Sequence, residues 1–273
     1  MANLTRCEFG KIIGGGTGAL ALSGSFLSDP PVGSPLESET HEGVKTLENR
    51  FGISLSYDPA SGQYFVACFG ELWFGTGMVS VLADNRWYQS SKTKYPEAAA
   101  YNPTGELVLQ QLNSASQSDQ FGRFNFLALT WELPSNKGRL VTEFRLYQDN
   151  PFLIFVQRFP DGFAKYASGN WIVPSVAFPQ FVAGFGERSD LYSWTSGGMF
   201  THTFGYGNAS SLGGTVDLLL LTDSECKTVI LSPFANYLVA VKTILAPFSY
   251  NVAWPKTRHP PSAFAAQVAG SHR

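Results

Sequence analysis

Two apolar-rich runs, Leu140 to Tyr147 and Phe152 to Phe159, are joined by only Gln148-Asp149-Asn150-Pro151. No other stretch constrains the fold so strongly. Leu140 to Tyr147 alternates with a period of two, which places successive side chains on opposite faces of a strand. The connecting residues are turn formers, and so short a link between β-rich runs favours antiparallel pairing. The sequence therefore predicts a hairpin. The same period recurs in Ile53, Leu55 and Tyr57, set between Ser54 and Ser56. Turn residues from Asp58 to Gly62 then lead into Tyr64 to Phe69. Leu72 to Leu82 reads as a further strand, in which Gly75 and Gly77 mark a bulge or a close backbone approach.

A polar loop is expected near Asn102, Pro103 and Gly105. Strands follow at Leu107 to Leu112 and Arg123 to Leu133, and Pro134 to Gly138 breaks the run. Val176, Phe178 and Phe181 suggest a strand interrupted by Pro179. Leu218 to Leu221 and Thr228 to Leu231 suggest a buried pair around a turn at Asp223 to Glu225. No window carries a helical stripe of three turns, and no fixed repeat is present. Many short strands at short spacing imply an all-β fold, a large two-sheet antiparallel sandwich.

Composition narrows the function classes. Aromatic residues make up 14% of the chain, which suits pleated, half-buried surfaces. The net charge of -2 provides no basic surplus for phosphate, so nucleic acid is excluded as a partner. Apolar runs such as Val216 to Leu221 are far too short to span a bilayer, so no membrane partner is expected. Cys7, Cys68 and Cys226 show no CxxC spacing and no clustered histidine, so no metal site is expected. They are read as reduced, mostly buried thiols. A Cys68–Cys226 disulfide is the alternative, and it requires the fold to bring two strands together.

Three segments are expected. Residues 1–48 form an irregular Gly/Pro/Ser-rich segment, 49–258 the sandwich, and 259–273 a frayed or truncated tail. Within the first segment, Ile12-Ile13-Gly14-Gly15-Gly16-Thr17-Gly18-Ala19 is similar to a dinucleotide fingerprint. The preceding strand would be too short, however, and Pro30 and Pro31 cut off the following helix, so no cofactor is expected. Arg6, Lys11 and the stretch Ile12 to Leu27 have a signal-peptide-like order, but glycine dilutes the apolar part.

Candidate chemistry is sparse. His202 alone among the histidines sits in a β-rich run, where an acid or base would have to titrate near neutrality. Asp149, Glu187, Asp190, Asp217 and Asp223 offer carboxylates, but no spacing singles out the facing pair that glycoside hydrolysis needs. No catalytic residue is assigned. Aromatic residues beside polar ones give the more usable signal, because a flat apolar face with nearby donors suits a sugar ring. Trp194 is central: Tyr192-Ser193-Trp194-Thr195-Ser196-Gly197-Gly198 reads as a loop, with Asp190, His202 and Tyr206 close in sequence. These five residues are the carbohydrate-binding candidates, and a core position between the sheets is the alternative for Trp194.

Several segments together resemble a known family. They are Thr142-Glu143-Phe144-Arg145-Leu146-Tyr147, Leu153-Ile154-Phe155-Val156-Gln157, Tyr192 to Gly198, Gly213-Gly214, Leu218-Leu219-Leu220 and Val229 to Tyr237. They are similar to the N-terminal β-supersandwich region of α-galactosidase-like and raffinose-synthase-like glycoside hydrolases, a galactose-mutarotase-like fold. The resemblance implies a domain that precedes a catalytic barrel and partly walls its sugar site. The barrel's catalytic aspartates have no counterpart positions here. The expectation is a non-catalytic domain, a fragment whose partner is a downstream barrel. A free-standing carbohydrate-binding or structural module is the alternative, and an aldose epimerase-like enzyme the more distant one.

Overall fold

The computed structural model describes residues 43–83, 86–91, 103–133, 138–161, 176–183, 191–197, 201–206, 214–215, 218–235, 241–245, 249–254 and 263–271. All of them fall within the compact unit Ser38–Arg273. In chain order the strands are β1 (Lys45–Glu48), β2 (Ile53–Asp58), β3 (Gln63–Cys68), β4 (Glu71–Ala83), β5 (Arg86–Gln89) and β6 (Pro103–Glu106). Next come β7 (Val108–Asp119), β8 (Gly122–Glu132), β9 (Arg139–Tyr147), β10 (Phe152–Arg158), β11 (Val176–Ala183), β12 (Tyr192–Gly197) and β13 (Thr201–Tyr206). The last are β14 (Gly214–Thr215), β15 (Leu218–Thr222), β16 (Thr228–Ala235), β17 (Val241–Leu245), β18 (Ser249–Trp254) and β19 (Ala263–Ser271). The described residues are all-β, and among them no helix is long and apolar enough to cross a membrane.

The strands form two sheets. The first runs β1-β2-β3-β4-β11-β18-β17-β14, with β5 and β6 extending it beside β4. The second runs β13-β12-β15-β16-β19-β10-β9-β8-β7. Apart from the parallel β5–β6 contact, every pairing is antiparallel. The expected hairpin forms as β9 and β10, with Phe144 opposite Phe155 and Leu146 opposite Leu153. These inward residues meet Leu55, Val66, Phe74 and Phe181 of the first sheet in one buried apolar cluster. A cluster drawn from both sheets is what makes this a sandwich.

Two sequence signals acquire a physical cause here. Gly77 lies opposite Tyr64 on β3 and Phe181 on β11. A Cβ there would fall 2.1 Å from the Tyr64 ring, so glycine is what lets that ring cross to Phe181, 5.6 Å away between centroids. On β11, the peptide before Pro179 is cis, and the register shifts between Ala177 and Gln180.

Other expectations need correction. Pro103–Glu106 is a short strand beside β5 rather than loop. β1 begins at Lys45, inside the segment expected to be irregular, and residues 1–42, with the glycine run, lie outside the described residues. The expected tail contains β19, which pairs with β10 on one side and β16 on the other. Ala265, Ala266 and Gly270 lie within this strand although alanine and glycine have low strand propensity. Two flanking partners supply main-chain bonds that override it. The cysteines are not all reduced: Cys68 is free, whereas Cys226 is disulfide-bonded. A Cys68–Cys226 bond does not form, because Cys68 is sealed in the core while Cys226 occupies the turn between β15 and β16.

Candidate functional site

Strand register places most of the aromatic candidates together. β12 lies between β13 and β15. Tyr192 is opposite Tyr206 and Thr222, Trp194 is opposite Phe204 and Leu220, and Ser196 is opposite His202 and Leu218. Directly opposed residues share a sheet face, and alternate residues of a strand return to it. Tyr192, Trp194, His202, Phe204 and Tyr206 therefore occupy one face of the β12–β13 edge.

Ser193, one position from Trp194, is buried opposite Leu221, which belongs to the inter-sheet cluster with Leu219, Val229 and Leu231. Trp194 is thus on a strand, not the expected loop. Tyr192, Trp194 and Ser196 alternate with Ser193 and Thr195, and partners on both sides hold the segment extended. Asp190 lies outside the described residues, as do Glu187 and Asp217.

Four to five strand steps from β12 in the same sheet, about 19–24 Å at the usual strand spacing, β10 and β9 carry an ionic chain that the sequence analysis does not single out. Thr142, Phe144 and Leu146 of β9 are buried on the inner side, where Thr142 Oγ1 accepts the Trp131 indole N–H at 2.9 Å. Glu143, Arg145 and Tyr147 alternate with them and point outward. Glu143 Oε1 accepts from Arg145 Nε, and its Oε2 accepts from Arg158 Nη1 at 2.6 Å. Arg145 also lies over the Phe124 ring, 5.0 Å from its centroid, with Nη1 3.8 Å from Asp119 Oδ2. The Tyr147 hydroxyl donates to the same Asp119 oxygen at 2.5 Å.

These charges are buried although they are on the outer side: Glu143 is 3% exposed, and Arg145 and Arg158 are each 7% exposed. Burying an ion is costly unless a partner and further hydrogen bonds compensate it. Arg158 is compensated only in part. Its Nε and Nη2 are buried and have no hydrogen-bond partner among the described residues. The sequence signal was available, since opposite charges two residues apart on a strand must share a face.

The remaining described carboxylates with assigned contacts are held structurally. Asp223 accepts from the Glu225 and Lys227 amides at 2.9 Å each and closes the β15–β16 turn. Asp149 pairs with Arg123, which holds its carboxyl below the usual range, and Asp161 pairs with Arg139. Among the described residues no three His, Cys, Asp or Glu side chains gather as a metal site requires.

Comparison with known proteins gives fold likeness alone. No protein-family model and no curated protein matches the chain. Among solved structures it is similar to a glycoside hydrolase family 97 enzyme from Pseudoalteromonas sp. strain K8 in complex with acarbose, at 9% identity and TM-score 0.52. It is also similar to a ligand-free alpha-N-acetylgalactosaminidase from Bifidobacterium bifidum, at 9% identity and TM-score 0.53. Each match covers 84% of this chain and 36% of the other. The chain thus spans just over a third of the length of the structures it matches, with a glycoside-hydrolase-like β fold.

Proposed function

We propose that this chain is the non-catalytic β-sandwich domain of an α-galactosidase-like glycoside hydrolase, and that it presents a sugar-facing surface at the β12–β13 edge. The observation that carries the reading is the register that gathers Tyr192, Trp194, His202 and Tyr206 on one face. Aromatic positions in cross-strand rows suit the C–H face of a pyranose, and an imidazole suits its hydroxyls. The likeness to an enzyme named for alpha-N-acetylgalactosamine supports a galacto-configured sugar. The non-catalytic part draws support from the carboxylates: Glu143, Asp149, Asp161 and Asp223 are each committed to guanidinium or turn contacts. Hydrolysis needs one acid to protonate the leaving oxygen and a second carboxylate across the bond.

The test is Trp194→Ala, read with methyl α-galactoside in a fluorescence titration and with a urea melt. The reading expects an unchanged melt and at least a tenfold loss of affinity. A loss of about 3–5 kcal/mol, as for a core tryptophan, with affinity per folded molecule unchanged, would overturn the binding role. The purified chain should leave an aryl α-galactoside intact. Robust turnover that a single Asp or Glu substitution abolishes would overturn the non-catalytic part.

A further inference from the structure

We propose that two copies of this chain pair through β7, edge to edge across a two-fold axis at Ala115, so that their second sheets join into one. The first observation is the edge itself. β7 closes one end of the second sheet, with β8 on one side and no strand on the other among the described residues. The remaining strands at sheet ends are short: β1 and β6 have 4 residues each, β13 has 6 and β14 has 2. β7 has 12. Its outer row of N–H and C=O groups meets no main-chain partner among the described residues. Ser114, Ala115 and Ser116 are all exposed. Consecutive residues point to opposite faces, so the edge is open from both. Long exposed edges are usually blunted by charge, proline or a bulge. Val108 to Ser118 carries no charged residue and no proline, and its register shift, between Leu109 and Gln111, lies at the start.

The second observation selects the occupant. From Gln111 to Asp119 the pairing with β8 runs without a shift. In an antiparallel ladder, opposed residues turn their main-chain groups the same way, both toward the partner strand or both away from it. A strand therefore pairs with its own copy only when the two-fold axis sets one residue opposite itself. Ala115 is the midpoint of Gln111 to Asp119, and an axis there opposes the whole of this regular stretch. Ser114 then faces the second copy's Ser116, Asn113 its Gln117, Leu112 its Ser118 and Gln111 its Asp119. None of these pairs sets like charges together, which is what destabilises opposed positions. About eight to ten main-chain bonds form across the axis, close to the roughly ten direct bonds of a specific protein interface.

The flanking side chains argue against an unrelated strand. Peptides that add to a sheet edge are selected by pockets for their alternate side chains. Ser114, Ala115, Ser116 and Ser118 are exposed and too small to wall such pockets. What remains to be recognised is main chain, and a two-fold contact matches one row of donors and acceptors with itself. The contact also closes, because it uses the same edge of both copies. The β12–β13 edge lies at the other end of the sheet and stays open.

The experiment is sedimentation velocity of the full chain over a wide range of concentration. The proposal expects a reversible monomer–dimer equilibrium. A monomer throughout, or assemblies that keep growing beyond the dimer, would overturn it. Ala115→Lys sets two like charges face to face on the axis. At least a tenfold weaker dimer is expected, with an unchanged urea midpoint because the position is exposed. An equally strong dimer in this variant would place the contact elsewhere and overturn the proposal. Ala115→Cys brings two thiols onto Cα atoms about 4.5–5.5 Å apart, within the reach of a disulfide. Mild oxidation should then give a covalent dimer that wild type does not give. Ser118→Cys, which faces Leu112 rather than its own copy, should not give one. No cross-link at Ala115, or an equal one at Ser118, would overturn the assigned axis. Should Ala115→Lys not fold, the two cysteine variants decide. The dimer is read without any sugar, so failure of the galactoside reading and failure of this one are told apart.

Discussion

The Tyr64 hydroxyl and the Gln180 backbone bond to one another in both directions. The hydroxyl accepts the Gln180 amide N–H at 3.0 Å and shares its own proton between the carbonyls of Gln180, at 3.1 Å, and Met78, at 3.2 Å. One core side chain thereby satisfies the main chain where β11 shifts register after Pro179. Tyr64→Phe keeps the ring and strands those groups in the buried core. The expected cost is about 1–3 kcal/mol, read as a lower urea midpoint with unchanged slope. A midpoint equal to that of wild type would show that the bulge is held by other contacts.

Gly77→Ala should be destabilising for a reason that can be checked against the same tyrosine. The new methyl meets the Tyr64 ring at 2.1–2.6 Å, and that ring is pinned by its hydroxyl and by Phe144, Phe178 and Phe181. Overpacking of this kind costs about 1–3 kcal/mol. Combined with Tyr64→Leu, which removes the obstructing ring, the penalty of the glycine change should shrink in a double-mutant cycle. Strict additivity would refute the assigned clash.

Alkali should weaken the fold. Burial pushes the Cys68 thiol up to about 12 and raises the phenols of Tyr57, Tyr64 and Tyr147 above their ordinary range. The folded state therefore favours the protonated forms. Stability from these groups is complete below the ordinary values of 9.0 for the thiol and 10.0 for the phenols, and falls as pH rises above them. Urea midpoints should be level from pH 7 to about pH 8.5 and then decline. Native Cys68 should also resist iodoacetamide at pH 8, as peptide mapping would show, because the thiolate is the reactive form. Rapid labelling of Cys68 in the native protein would contradict this.

Much of this architecture was legible because strand signals are local. Alternation over Leu140 to Tyr147, the turn at Asp58 to Gly62 and the break at Pro179 each act within a few residues. Those residues form β9, the β2–β3 turn and the register shift in β11. Less of the site was legible. Trp194 and its neighbours were found by residue type, but their shared face needed β13 and β15 as partners. Gly197 and Gly198 suggested a loop because glycine is common in turns, whereas Gly197 ends a paired strand.

By itself the sequence determined an all-β chain, a central hairpin and a core of alternating apolar residues, since side-chain period and turn chemistry depend on near neighbours. Tertiary structure alone decided which strands lie side by side. It inserted β19 between β10 and β16, joined Tyr64 to a residue 116 positions away, and buried the outward faces of Glu143, Arg145 and Arg158. The reason is that alternation separates the two faces of a strand without saying what covers either. Whether an outward charge meets water or protein depends on chain segments brought there by the whole fold.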